Sequence, residues 1–194
     1  MSARKSRSIA ALAFAALLLC AARAASAQTG SAWHDDLIDH MAGTWKLEGT
    51  MLGKPARHTV TAEWILNHQF LRLHEVTSAD APASEDRYEA FWFIGYDATS
   101  ERYAVHLLDI FGGRDSETLG YGTRQGSRVD GKSSPGDQKD NSIALVFEYP
   151  DGPFHTTMRW IPESGTWQWH LEQKDKGKWS TFADLTLTPA PSTK

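Results

Sequence analysis

Met41-Ala42-Gly43-Thr44-Trp45 is the stretch at which the periodicity of this chain changes. Before it, Trp33, Leu37 and Met41 recur at i, i+4 and i+8, one apolar stripe of a short helix expected over residues 31–41. Ser31 is placed to cap that helix, and Asp35 and Asp36 lie where its dipole favours negative charge. Gly43 then stops it. After it the period is two: Trp45, Leu47 and Met51 alternate with Lys46, Glu48 and Thr50, and Val60, Ala62, Trp64 and Leu66 alternate with Thr59, Thr61 and Glu63.

The same reading continues to the end of the chain. Strands are expected at 70–77, 87–96, 102–111, 117–124, 143–149, 154–161, 166–173 and 179–187. Turn signals separate them at Asn67-His68-Gln69, Asp151-Gly152, Glu163-Ser164-Gly165 and Asp175-Lys176-Gly177. About ten short strands with no alternating helices define an all-β fold, an antiparallel up-and-down barrel with a short N-terminal helix. Closing the sheet also removes its exposed edges. Residues 78–86 and 128–142 read as loops, and residues 188–194 as a disordered tail.

Ahead of this domain, Arg4, Lys5 and Arg7 precede an apolar run over residues 9–20, followed by Ala25-Ser26-Ala27. That order is a cleavable signal peptide over residues 1–27. The run is shorter than the ~20 residues a membrane-spanning helix needs. Leu19 before Cys20 is too large for a lipidation box, and no Arg-Arg pair marks twin-arginine export. The expected route is general secretion, to a periplasmic or secreted location, with residues 28–187 as one domain. Removing Arg4, Lys5, Arg7 and Arg23 from the 20 basic residues leaves 16 against 24 acids, a net charge of −8. No nucleic-acid partner and no membrane insertion are expected of so acidic a chain. The single cysteine, Cys20, lies in the leader, so the mature chain has no disulfide and no thiol chemistry. Its eight tryptophans supply much of the apolar surface that a cysteine-free core must bury.

Leu37, Gly43-Thr44-Trp45 and Gly49, followed by Tyr88 and Gly95-Tyr96-Asp97, resemble the calycin group of lipocalins, fatty-acid-binding proteins and nitrobindin-type barrels. The resemblance is nearest to a bacterial exported set of calycin-like domains of unknown function. It implies a barrel holding a small molecule, with Gly43 and Trp45 in a structural role at the closed end. Nitrobindin-type barrels hold haem through a histidine late in the chain. Here the last histidine is His170 and the final strand has none, so no cofactor is expected.

Direct chemistry is sparse. His106 and Asp109 point to opposite faces of their strand, His68 and His74 lie roughly 20 Å apart along theirs, and His34 and His40 diverge around a helix. No metal is expected from such pairs; a site assembled across strands, for example His74 with His106, is the open alternative. No Gly-x-Ser-x-Gly elbow is present. The glycines of 109–113 and 120–122 are flanked by strands rather than by a helix N-terminus, which argues against phosphate loops.

The remaining route to function is the barrel interior. On the strand at 70–77, either Leu71, Leu73 and Glu75 point inward, or Phe70, Arg72, His74 and Val76 do. The second register would offer Arg72 and His74 to an anionic head group. Trp64, Tyr88, Trp92, Tyr103, His106, Trp167 and Trp169 complete the candidate lumen set. The favoured reading is non-catalytic binding of a small apolar or amphipathic molecule, with loops 78–86 and 128–142 as gates. Two alternatives stand beside it: a lumenal acid/base enzyme of isomerase, hydratase or decarboxylase type, using Glu75 or His106 with Tyr103, and an interaction protein with a filled core.

Overall fold

The computed structural model describes residues 31–83, 85–115, 118–125 and 141–191. Ten antiparallel strands run in order: β1 (Gly43–Met51), β2 (Lys54–Ile65), β3 (Phe70–Thr77), β4 (Glu89–Asp97), β5 (Arg102–Asp109), β6 (Leu119–Arg124), β7 (Ser142–Tyr149), β8 (Gly152–Ile161), β9 (Thr166–Asp175) and β10 (Lys178–Pro189). Each pairs with its sequence neighbours, and β1 pairs with β10 to close the barrel. The seam is continuous from Trp45↔Pro189 through Leu47↔Leu187 to Met51↔Ala183. β10 therefore runs past the expected strand end at 187, because Thr188 and Pro189 still have β1 to pair with. A Cβ on Gly49 would stand 2.0 Å from the Asp184 carbonyl oxygen, so the seam requires glycine there.

The helix expected over 31–41 is a single 3-10 turn, Ile38–Met41. Asp35 holds its start: one carboxylate oxygen accepts the backbone N–H groups of Leu37 and Ile38 at 2.9 and 3.0 Å. The other accepts the Tyr103 hydroxyl at 2.6 Å, which ties this plug to β5. Leu37, Ile38 and Met41 are buried, and the Trp45 and Trp167 indoles donate to the carbonyls of Met41 and His40 at 2.8 and 3.4 Å. One end of the barrel is thus stoppered by its own N-terminal segment.

Inward residues alternate along every strand, as in β3, where Leu71, Leu73 and Glu75 are buried. The plug, Trp33, Trp45, Trp64, Tyr103 and Trp167 fill the closed end. The hairpins β1–β2, β3–β4, β5–β6, β7–β8 and β9–β10 all turn at the other end, which stays open. A four-residue helix, α1 (Gly112–Asp115), follows β5 at this rim.

Candidate functional site

The open half of the barrel encloses a cavity of about 970 Å³. Its walls are mainly apolar: Leu107, Phe147, Phe154, Leu171 and Leu185 face it with Trp92 and Trp169. Leu52 and Phe111 stand at the mouth, 61% and 58% exposed. Natural barrel interiors of similar strand number either fill with side chains or hold a ligand, and this one is filled only at the plugged end.

A buried charged group sits in the cavity wall. His58 on β2 and Glu75 on β3 both face inward and are 2% and 3% exposed. His58 Nδ1 lies 2.6 Å from Glu75 Oε1, and His58 Nε2 lies 3.0 Å from Glu85 Oε1. A carboxylate can only accept, so two carboxylates on one imidazole require both ring nitrogens to donate: His58 is an imidazolium. Burial pulls its pKa down, but the hydrogen bond and charge of Glu75, then those of Glu85, outweigh burial and hold it above the ordinary histidine value. The second Glu75 oxygen accepts the Trp92 indole at 3.2 Å. Tyr88 stacks on His58 with ring centroids 5.5 Å apart. Burial, then the charges of Glu75, Asp109 and Tyr149, push the Tyr88 phenol far up, so it stays a hydrogen-bond donor.

Local structure explains Glu85. The β2–β3 ladder ends at His58↔Thr77, leaving the Arg57 backbone without a strand partner on that side. Its N–H donates instead to both Glu85 oxygens, at 3.0 and 3.2 Å, and its carbonyl accepts the Ser78 N–H at 2.9 Å. The loop from Ser78 to Tyr88 is thereby fastened across the rim, with the Tyr88 N–H on Thr77 Oγ1 at 2.7 Å.

Two cavity-lining residues carry buried polar atoms with no partner among the described residues: Thr156 Oγ1 and Trp169 Nε1. Unsatisfied buried groups are uncommon in folded proteins and often mark a place where another molecule belongs.

Of the candidates read from the sequence, Tyr88, Trp92 and Trp169 line the cavity. Trp64, Tyr103 and Trp167 face inward but pack in the closed end below it, Trp64 stacked on His68 and against Trp33. Arg72, His74 and His106 stand on the outer face. Arg72 pairs with Glu63, and His74 reaches Glu89 at 2.8 Å. The reason is register: burying Leu71, Leu73 and Glu75 turns the alternate residues out, and His106 pairs across from the outward Phe93. The loop at 78–86 does border the mouth, through Glu85 and Asp86. The loop expected at 128–142 lies outside the described residues except for Asn141 and Ser142; the strand ends Arg124 and Ser142 belong to the plugged end.

His58 is a cavity-wall residue that the sequence reading missed. That reading began the second strand at Thr59, whereas β2 starts at Lys54 after a Leu52-Gly53 turn with both φ values positive. Extending the alternation of Val60 and Ala62 back by two residues places His58 on the inner face.

Together these features define a closed ten-stranded antiparallel barrel with a one-ended, mostly apolar cavity. The chain matches no protein-family model, and no curated protein is significantly similar to it.

Proposed function

We propose that this protein, after export, binds a small and largely apolar molecule in the barrel cavity, as a calycin-type carrier or sensor. The observation that carries this reading is the 970 Å³ cavity open at one end, since an interaction protein with a filled core would have no such space. Apolar burial against Leu107, Phe147, Leu171 and the two indoles would supply the affinity. Tyr88 and Thr156 are the polar anchors that would set orientation. The buried imidazole in the cavity wall, His58, is already paired with two carboxylates. Its rim carries Glu85, Asp86, Asp109, Asp151 and Asp175 against Lys54, Arg87 and Lys174. A neutral or cationic ligand therefore suits it better than the anionic head group that Arg72 and His74 suggested.

The acid/base-enzyme reading is supported less well. Both His58 nitrogens and both Glu75 oxygens are engaged by neighbours, which leaves neither group free to exchange a proton with a substrate. Native mass spectrometry on protein purified from the export compartment, without detergent, tests the proposal. A discrete extra mass that is lost on denaturation is expected. Bare protein that also fails to retain any of a panel of neutral and cationic apolar compounds would overturn it.

A further inference from the structure

We infer that the plugged end of the barrel carries a binding site for a divalent transition-metal ion, built from His34, Asp39 and His68. One ligand atom from each side chain lies within 4.8 Å of the other two. Zinc at its usual 2.0–2.2 Å distances holds tetrahedral ligands roughly 3.3 Å apart, so the cluster needs closure of about an ångström or so. His34 and Asp39 can supply that closure by side-chain rotation: they are 68% and 39% exposed, His34 Nδ1 already lies 3.8 Å from Asp39 Oδ2, and the His34 ring packs 4.4 Å from that of His68.

His68 is the fixed member. Its Nδ1 lies 2.6 Å from the Trp33 carbonyl oxygen. A carbonyl only accepts, so Nδ1 carries the proton and Nε2 is left as the ligand atom. A backbone carbonyl setting the tautomer of the opposite nitrogen is the arrangement found behind metal-bound histidines. The ring plane is set by stacking on Trp64 at 3.9 Å, and the backbone by a second bond, Trp33 N–H to the His68 carbonyl at 3.1 Å. The turn itself is strained: Leu66, Asn67 and His68 all have φ between 51° and 62°. Three successive non-glycine residues in the left-handed region are sterically disfavoured, and strain of this kind concentrates where a side chain must be held for function.

Two imidazoles and one carboxylate suit zinc and its neighbours better than calcium or magnesium, which prefer all-oxygen sites. Three protein ligands leave a fourth position for water. The ion would cross-link the N-terminal plug, through His34 and Asp39, to the β2–β3 turn through His68. It lies at the opposite end of the barrel from the cavity, so it can be tested independently of ligand binding.

The test is calorimetric titration of zinc into untagged, chelator-treated protein, with thermal melts in parallel. One ion per chain and a raised Tm are expected. His34→Ala, at an exposed position, should weaken binding by at least about tenfold, and so should His68→Ala. His170→Ala, which removes the separate surface cluster with Glu172 and Asp184, should leave it unchanged. Absence of saturable binding, or binding equally strong in His34→Ala and Asp39→Asn, would overturn the assignment. So would loss of binding in His170→Ala alone.

Discussion

His58 and Glu75, 17 residues apart in sequence, meet at 2.6 Å inside the barrel, both almost wholly out of water. Taking two charges out of solvent is costly, and their attraction offsets that only while both are present. The pair spans the β2–β3 ladder in the cavity wall, and Glu85 completes it from the rim loop.

Removing the Glu75 charge leaves the buried His58 with Glu85 as its remaining carboxylate. Glu75→Gln is expected to destabilise the protein by about 3–5 kcal/mol, a Tm drop of roughly 6–20 °C for a chain of this size. Chemical denaturation followed by tryptophan fluorescence measures it. A loss under about 1 kcal/mol would mean the pair is solvated and weak.

The pH dependence follows from the same group. The His58 pKa is raised in the folded state, so its contribution is complete below the unfolded value of 6.5 and is lost as pH rises through the folded value. Tm should therefore fall between neutral and mildly alkaline pH, and the Glu85 bond to the rim loop should loosen with it. His58→Gln should flatten that slope. An unchanged slope in the variant would assign it elsewhere.

Thr156→Val separates stability from binding. The Thr156 hydroxyl is buried without a partner among the described residues, so its isosteric removal should be neutral or raise Tm by a few degrees, about 1 kcal/mol. If that hydroxyl anchors the ligand, retention measured by native mass spectrometry should fall in the same variant. Unchanged retention would remove Thr156 from the site.

Gly49→Val tests the seam. Its Cβ would meet the Asp184 carbonyl at 2.0 Å, and backbone there cannot move without breaking β1–β10 pairing. A loss of more than about 2 kcal/mol is expected, read as an earlier melt. A wild-type Tm would show that the seam can part without cost.

Much of the barrel is readable from residue order. Alternation and turn signals locate the strands to within a few residues, and the change of period at Gly43 marks where the plug ends and the sheet begins. Which face of β3 is inner is another matter. Leu71, Leu73 and Glu75 compete with Phe70, Arg72, His74 and Val76, and both sets mix apolar and charged residues. A buried Glu looks improbable until His58 and Trp92 are seen to satisfy it. The inner helix stripe of Trp33, Leu37 and Met41 is equally legible, yet only one turn forms, because Asp35 is spent capping Leu37 and Ile38 and bonding Tyr103.

By itself, then, the order of residues determined an all-β chain of about ten strands and its apolar aromatic load, since each rests on local periodicity and composition. Only the tertiary structure decided the register of β3, the depth of the plug, the presence of a cavity and the meeting of His58, Glu75 and Glu85. These depend on which strands lie side by side and how completely side chains fill the space between them. Both are set by closure of the whole barrel rather than by any one segment.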